Sequence, residues 1–207
     1  DNSGGGQVWV TSDRWGPFDK ELLHMSYGRS ALYLVLKENK GGQMQGGVVK
    51  FPLRFTSSCM RARFNPSDGQ LYVAGLKGWQ TNAGKPGGFD RVRYTGAKVA
   101  MPNALRIKLN GVEIGFTSKL DKELAEDTTS YAIRSTNIRW TQGYGSGEQD
   151  KKSYEVKTAK LLPGGKTVFL EVPTIGPAHQ MEINIDVETA GGDEIVTKIW
   201  NTVHIAN

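Results

Sequence analysis

The stretch FNPSDGQLYVAGLKGWQ, residues 64–80, decides how the first half of the chain is read. Pro66 holds φ at about −65° and Gly69 supplies a positive φ, so residues 65–70 read as a reversal of direction. Upstream of it, period-two spacing puts Met60, Ala62 and Phe64 on one face of a strand and Arg61 and Arg63 on the other. That strand should be half buried, with two guanidinium groups pointing the same way. The runs on either side of residues 65–70 should pair as an antiparallel hairpin, and Trp79 follows the second of them beside further turn residues.

Outward from this hairpin, the first hundred residues give short strand-like runs at 7–10, 21–26, 31–36, 48–51, 60–64, 70–74 and 90–94, with almost nothing at helical spacing. Tyr27-Gly-Arg-Ser30 has the length and the glycine of a hairpin connection. After residues 97–103 the texture changes. Residues 105–109 alternate cleanly, Asn110-Gly111 is a tight-turn dipeptide, and the alternation resumes at 112–116. Residues 120–127 form the one plausible helical turn, a run at 130–134 follows, and the polar, glycine-rich 141–152 reads as a long loop. Runs at 154–160, 167–172, 181–187 and 195–199 complete the chain, with a hairpin turn at Pro163-Gly-Gly165. A boundary near Pro102 leaves about seven short strands on its C-terminal side, the number expected of an immunoglobulin-like sandwich.

Bulk composition narrows the class. With 207 residues, 38% hydrophobic and 23% charged, the chain can bury one good core or two small ones and is too mixed for a disordered tail. No stretch approaches the roughly 18 to 20 apolar residues needed to span a bilayer as a helix, so no membrane span is expected. Residues 1–6 lack a basic segment followed by an apolar run, so a secretion signal is expected to be removed or to lie upstream. The single cysteine, Cys59, excludes an internal disulfide, a CxxC metal site and a CxxCH haem attachment, and is expected to be a small buried hydrophobe. A net charge of +5 is scattered through both halves against 21 acids, which argues against nucleic acid as a partner.

The segments ELLHMSYGRSALYLVL (21–36), GGVVKFPLRFTSSCMRARFNPSDGQLYVAGLKGWQ (46–80) and FDRVRYTG (89–96) resemble the last blades of the six-bladed β-propellers of the soluble glucose/sorbosone dehydrogenase class. The likeness is to the large secreted bacterial versions fused to cytochrome c, and it covers about residues 7–96. The segments FTSKLDKELAEDTTSYAI (116–133) and AKLLPGGKTVFLEV (159–172) resemble bacterial Ig-like modules appended to secreted enzymes, over about residues 105–200. The resemblance implies an all-β chain: a partial β-propeller of about two blades in residues 1–101, then an Ig-like β-sandwich in 102–207. A closed propeller takes four or more blades of about 40 to 50 residues. The remaining blades, or a partner chain, should therefore cover an open blade edge.

The same resemblance implies a secreted or periplasmic parent that oxidises a sugar or related alcohol, passes electrons to a cytochrome c, and carries PQQ, calcium or haem c. The family's catalytic histidine and its calcium or quinone ligands sit on earlier blades, so this chain is expected to hold no catalytic residue, metal or cofactor. Taken alone it reads as a non-catalytic structural and interaction segment. The alternative is a free-standing carbohydrate-binding β-protein that uses exposed tryptophans.

Four residues are candidates for ligand contact: His24, Arg61, Arg63 and Trp79. A dehydrogenase needs a base and cationic groups for an anionic cofactor, which His24 and the two arginines could supply. Arg61 and Arg63 equally suit blade-to-blade ion pairs or snorkelling at the surface. Trp15, Trp79 and Trp140 lie beside turns, where aromatic platforms stack on sugars, although Trp79 also suits a plug between blades. Trp9 and Trp200 sit within strands and are expected in the core. His179 and His204 read as surface or capping histidines, and Glu123, Glu126 and Asp127 as a solvated face. Glu148-Gln-Asp150 lacks calcium-loop spacing, and no G-x-S-x-G, H-E-x-x-H or phosphate loop is present.

Overall fold

A computed structural model describes residues 3–143 and 145–206. Asp1 and Asn2, on which part of the expectation for residues 1–6 falls, and Tyr144 of the expected 141–152 loop lie outside the described residues. The chain runs through β1 (Gly4–Trp9), a 3-10 helix (Asp13–Phe18), β2 (Leu22–Ser26), β3 (Ala31–Lys40), β4 (Gln43–Lys50), β5 (Arg61–Phe64), β6 (Leu71–Leu76) and β7 (Gly87–Val92). It continues through β8 (Pro102–Lys108), β9 (Gly111–Phe116), α1 (Lys122–Glu126), a 3-10 turn (Thr128–Ser130), β10 (Tyr131–Ile138), β11 (Glu148–Tyr154), β12 (Thr158–Leu161), β13 (Thr167–Glu171), β14 (Ala178–Glu188) and β15 (Glu194–Val203). The chain is therefore all-β, in several antiparallel sheets, none of which closes on itself among the described residues. No helix among them is long and apolar enough to cross a membrane.

The residues fall into two units, one made of everything through Val35 plus Lys50–Lys98, the other of Leu36–Val49 and everything from Val99 on. In the first unit β1, β2 and β3 form an antiparallel meander. Leu23 lies opposite Leu34 and Met25 opposite Leu32, and all four are fully buried. Strands β5, β6 and β7 form a second meander. Between β1 and β2 the 3-10 helix, capped by Ser12 Oγ accepting from Arg14 N at 3.2 Å, buries two rings. Trp15 stands edge-on to Phe64 at 5.1 Å and Phe18 to Phe51 at 5.0 Å.

The hairpin read from residues 64–80 forms as expected: Phe64 lies opposite Leu71, and Asn65 O accepts from Gly69 N at 2.7 Å. Gly69 has φ +70°, and a Cβ there would sit 2.5 Å from Ser12 Oγ. Gly69→Val is expected to cost roughly 1 to 3 kcal/mol, because a branched side chain pays both for positive φ and for the clash. Thermal unfolding followed by circular dichroism checks it, and an unchanged midpoint would contradict the turn geometry.

One face of the β5–β6–β7 sheet is closed by residues 56–59. Gly75 of β6 lies opposite Gly88 of β7, and this paired gap in side chains lets the Ser57–Ser58 backbone lie directly on the sheet. Ser58 Oγ donates to Leu76 O at 2.8 Å and accepts from Leu76 N at 3.0 Å, while Ser57 Oγ donates to Lys85 O at 2.7 Å. Thr56 donates to both carboxylate oxygens of Asp90. Cys59, at the end of this segment, is fully buried, and burial, with a lesser push from Asp90, raises its thiol pKa to about 12. It is the inert small hydrophobe that was expected.

In the second unit β4, β15, β14, β10 and β11 form one sheet in that order, with the end of β3 beside β4, and β12, β13, β9 and β8 form another. Inward-facing Met181, Ile183 and Ile185 of β14, Ile199 of β15, Val112 and Ile114 of β9 and Val168 and Leu170 of β13 supply the core. The helical turn expected at 120–127 is α1, started by Asp121 Oδ1 accepting from Leu124 N at 3.0 Å. The expected solvated face is partly a set of acceptors: Asp127 caps Thr129 N at 2.8 Å and Glu126 takes Leu161 N at 3.2 Å.

Three expectations are corrected. The β8–β9 reversal is Leu109-Asn110, with Lys108 opposite Gly111, and neither Asn110 nor Gly111 has positive φ. The 141–152 loop ends early, because residues from Glu148 pair with β10 as β11; exposed on nearly every residue, this charged edge strand has no apolar alternation to announce it. Trp9 and Trp200, expected in the core, are 52% and 39% exposed. Period two decides it: in β15 Ile199 and Val203 point inward, which turns Trp200 outward.

Candidate functional site

Period two along β6 sends Leu71, Val73 and Gly75 inward and Tyr72, Ala74 and Leu76 outward. Strand register then assembles two rows on the outer face. One is Arg63, Tyr72 and Arg91; the other is Arg61, Ala74 and Phe89. Tyr72 and Phe89 stack with ring centroids 5.6 Å apart and planes 27° from parallel, and Phe89 is 71% exposed. Ala74, the smallest side chain in the second row, forms the floor between Arg61 and Phe89. The result is a shallow open groove of about 670 Å³, with Arg61, Arg63 and Asn65 on one side and Tyr72 and Phe89 on the other.

Each arginine of β5 is braced on its own strand: Arg61 Nη1 donates to Met60 O at 2.9 Å and Arg63 Nη1 to Ala62 O at 2.8 Å. A guanidinium has five N–H donors, so most remain for a ligand. Among the described residues no carboxylate pairs with Arg61 or Arg63. Tyr72 is held from below, its hydroxyl donating to Asp68 Oδ2 at 2.7 Å while Gln70 N donates to Asp68 Oδ1 at 2.9 Å. Those hydrogen bonds, from Gln70 and then Tyr72, keep the half-exposed Asp68 carboxyl below its usual range.

Of the four candidates read from the sequence, Arg61 and Arg63 meet in this groove, while His24 and Trp79 do not line it. His24 is half buried on β2, opposite Tyr33 and 6.1 Å from its ring, and burial lowers its pKa from 6.5. It is therefore mainly neutral at pH 7. Trp79 is 73% exposed in the connection between β6 and β7, which Asn82 N and Thr81 Oγ1 tie to Gly28 O and Tyr27 O. Of the other two tryptophans considered for sugar stacking, Trp140 is 91% exposed, whereas Trp15 is only 3% exposed and is corrected to a core residue against Phe64. Tyr72, Phe89 and Arg91 were missed. Tyr72's outward place follows from the alternation of β6, but Phe89 joins it only through a register set across residues 77–86.

The second unit offers weaker sites. His179 Nδ1 accepts from Ile138 N at 2.9 Å, the capping role expected, and with His204, Asn137 and Asp150 it lines an open cleft of about 350 Å³. No group of three or more His, Cys, Asp or Glu that could hold a metal exists among the described residues. Glu182, on the outward face of β14, accepts from Arg134 Nη2 and Lys198 Nζ at 3.0 Å, Asn184 Nδ2 at 3.1 Å and Trp200 Nε1 at 3.2 Å. Burial raises its pKa, but the bonds from Lys198, Arg134 and Asn184 outweigh this and leave it below 4.5. A depressed carboxylate stabilises the fold above its unfolded pKa and loses that contribution as pH falls through the folded value. Glu182→Gln is accordingly expected to be less stable than the parent near neutrality, with the difference closing below about pH 4.5. Urea midpoints across pH check this, and a difference that stays constant into acid would contradict it.

Comparison of the chain with protein-family models, curated proteins and solved structures gives no match.

Proposed function

We propose that this chain is a non-catalytic binding and structural segment of a secreted, sugar-dehydrogenase-like bacterial protein, and that it makes its contacts through the outer face of β5–β6–β7. The observation that carries the reading is the pair of unneutralised guanidiniums, Arg61 and Arg63, beside the stacked and exposed Tyr72 and Phe89. The groove is open and shallow, a shape suited to holding an extended ligand or a neighbouring surface. Enclosed sites that exclude water around a reacting atom look different.

Two features favour the finer architecture. β1–β2–β3 and β5–β6–β7 are consecutive antiparallel meanders, as successive propeller blades are. In the second unit the orders β8-β9-β13-β12 and β11-β10-β14-β15 correspond to A-B-E-D and C′-C-F-G of an Ig-like sandwich. The parent's PQQ, calcium or haem c and its cytochrome c partner belong to the same proposal, with the remaining blades or a partner chain completing the propeller.

Sugar-dependent dye reduction tests the non-catalytic part. The chain alone, supplied with PQQ and calcium and offered a panel of sugars, is expected to reduce no dye; steady turnover would overturn the reading. The exposure of Trp79 favours a second reading, a free-standing carbohydrate-binding protein. Glycan binding lost in Trp79→Ala and retained in Phe89→Ala would support that reading instead.

A further inference from the structure

We infer that the ligand of the β5–β6–β7 face is an acidic polysaccharide, a chain of sugar rings bearing uronate carboxylates; this rests on the reading of that face as the contact surface. Two chemistries meet within one groove. The stacked rings of Tyr72 and Phe89 offer an exposed apolar platform of the kind on which a sugar ring lies. On the other side of Ala74, Arg61 and Arg63 stand two residues apart on one strand, about 7 Å along it, and each presents a planar fork that matches a carboxylate. A ring seated on the platform would direct its acid group toward these forks. Asn65, whose Oδ1 is engaged by Ser67 N at 3.0 Å, keeps its Nδ2 donors for a ring hydroxyl.

The same face disfavours a nucleic-acid strand. A phosphate backbone binds best along a continuous basic stripe. Here Tyr72 lies between Arg63 and Arg91, so the basic groups flank an aromatic ring in place of forming one stripe, and the Asp68 carboxylate, 2.7 Å from the Tyr72 hydroxyl, repels phosphate and uronate alike. Ring hydroxyls can meet that carboxylate as donors, which makes it an asset to a sugar.

The test is titration calorimetry of the full chain with polygalacturonate, dextran and oligothymidylate, on the parent, Phe89→Ala and the double variant Arg61→Ala/Arg63→Ala. All three positions are on the outer face, so circular dichroism should show the variants folded. Polygalacturonate is expected to bind, with affinity falling as salt rises. Phe89→Ala should weaken it about tenfold, and the double arginine variant at least about tenfold. Dextran bound as tightly, and lost in Phe89→Ala, would overturn the acidic class while keeping the face. Tighter binding of oligothymidylate would overturn the sugar. Binding of none of the three would overturn this inference alone, whereas polygalacturonate binding that survives both variants would overturn the reading of the face as well.

Discussion

Gly75→Ala is expected to destabilise the first unit by about 3 kcal/mol, the upper end of overpacking, because the atoms it meets cannot yield. The added Cβ would fall 1.7 Å from Ser58 O and 2.5 Å from Ser58 C, which are backbone atoms and not the end of a flexible side chain. Retreat of the 56–59 segment is opposed by Ser58 Oγ, bonded to both Leu76 O and Leu76 N, and by Ser57 Oγ on Lys85 O. Shifting β7 gives no relief, since Gly88 is already closed in by Ser57 N. If the variant folds at all, the segment must lift, and Cys59 at its end would lose its cover. A sharp rise in the rate at which a disulfide reagent modifies the thiol, together with a lower urea midpoint, is the expected result. Unchanged stability with an unreactive Cys59 would show that the Gly75–Gly88 gap does not seat this segment.

The second large effect is expected in the other unit. Leu170, fully buried in β13, lies opposite Val112 of β9 and Ala159 of β12. Truncation to alanine removes buried methyl groups and leaves a cavity that neighbouring strands cannot fill without breaking register, a cost of about 2 to 5 kcal/mol. For a protein of this size each kcal/mol lowers the thermal midpoint by roughly 2 to 4 °C. Val196→Ala, on the exposed side of β15, should change stability by no more than about 0.5 kcal/mol. Similar midpoints for the two variants would contradict the assignment of inward and outward faces.

Much of the strand content could be read because period two is visible wherever one face is buried and the other is not. It was plain in β2, β5, β8 and β14, and the reversals at 27–30, 65–70 and 163–165 carry the glycines that such turns use. Where neither face is apolar the signal vanishes, which is why β11 passed for loop. The helix at Asp13–Phe18 has no helical periodicity to announce it: glycine and proline disfavour a helix interior, yet Gly16 and Pro17 allow the kink that buries Trp15 and Phe18. The pairing of Arg61 with Arg63 was legible from their spacing alone. Their aromatic counterpart was not, because only the β6–β7 register, fixed by tertiary packing of Gly75 against residues 56–59, brings Phe89 beside Tyr72.

On the reading proposed above, the outer face of β5–β6–β7 is where this chain meets its ligand. Backbone amide shift mapping during titration with polygalacturonate tests it most directly. Shifts are expected to concentrate at Arg61, Arg63, Tyr72, Ala74 and Phe89. Shifts centred on the Trp79 connection or on His179 and His204, or no shifts anywhere, would contradict it.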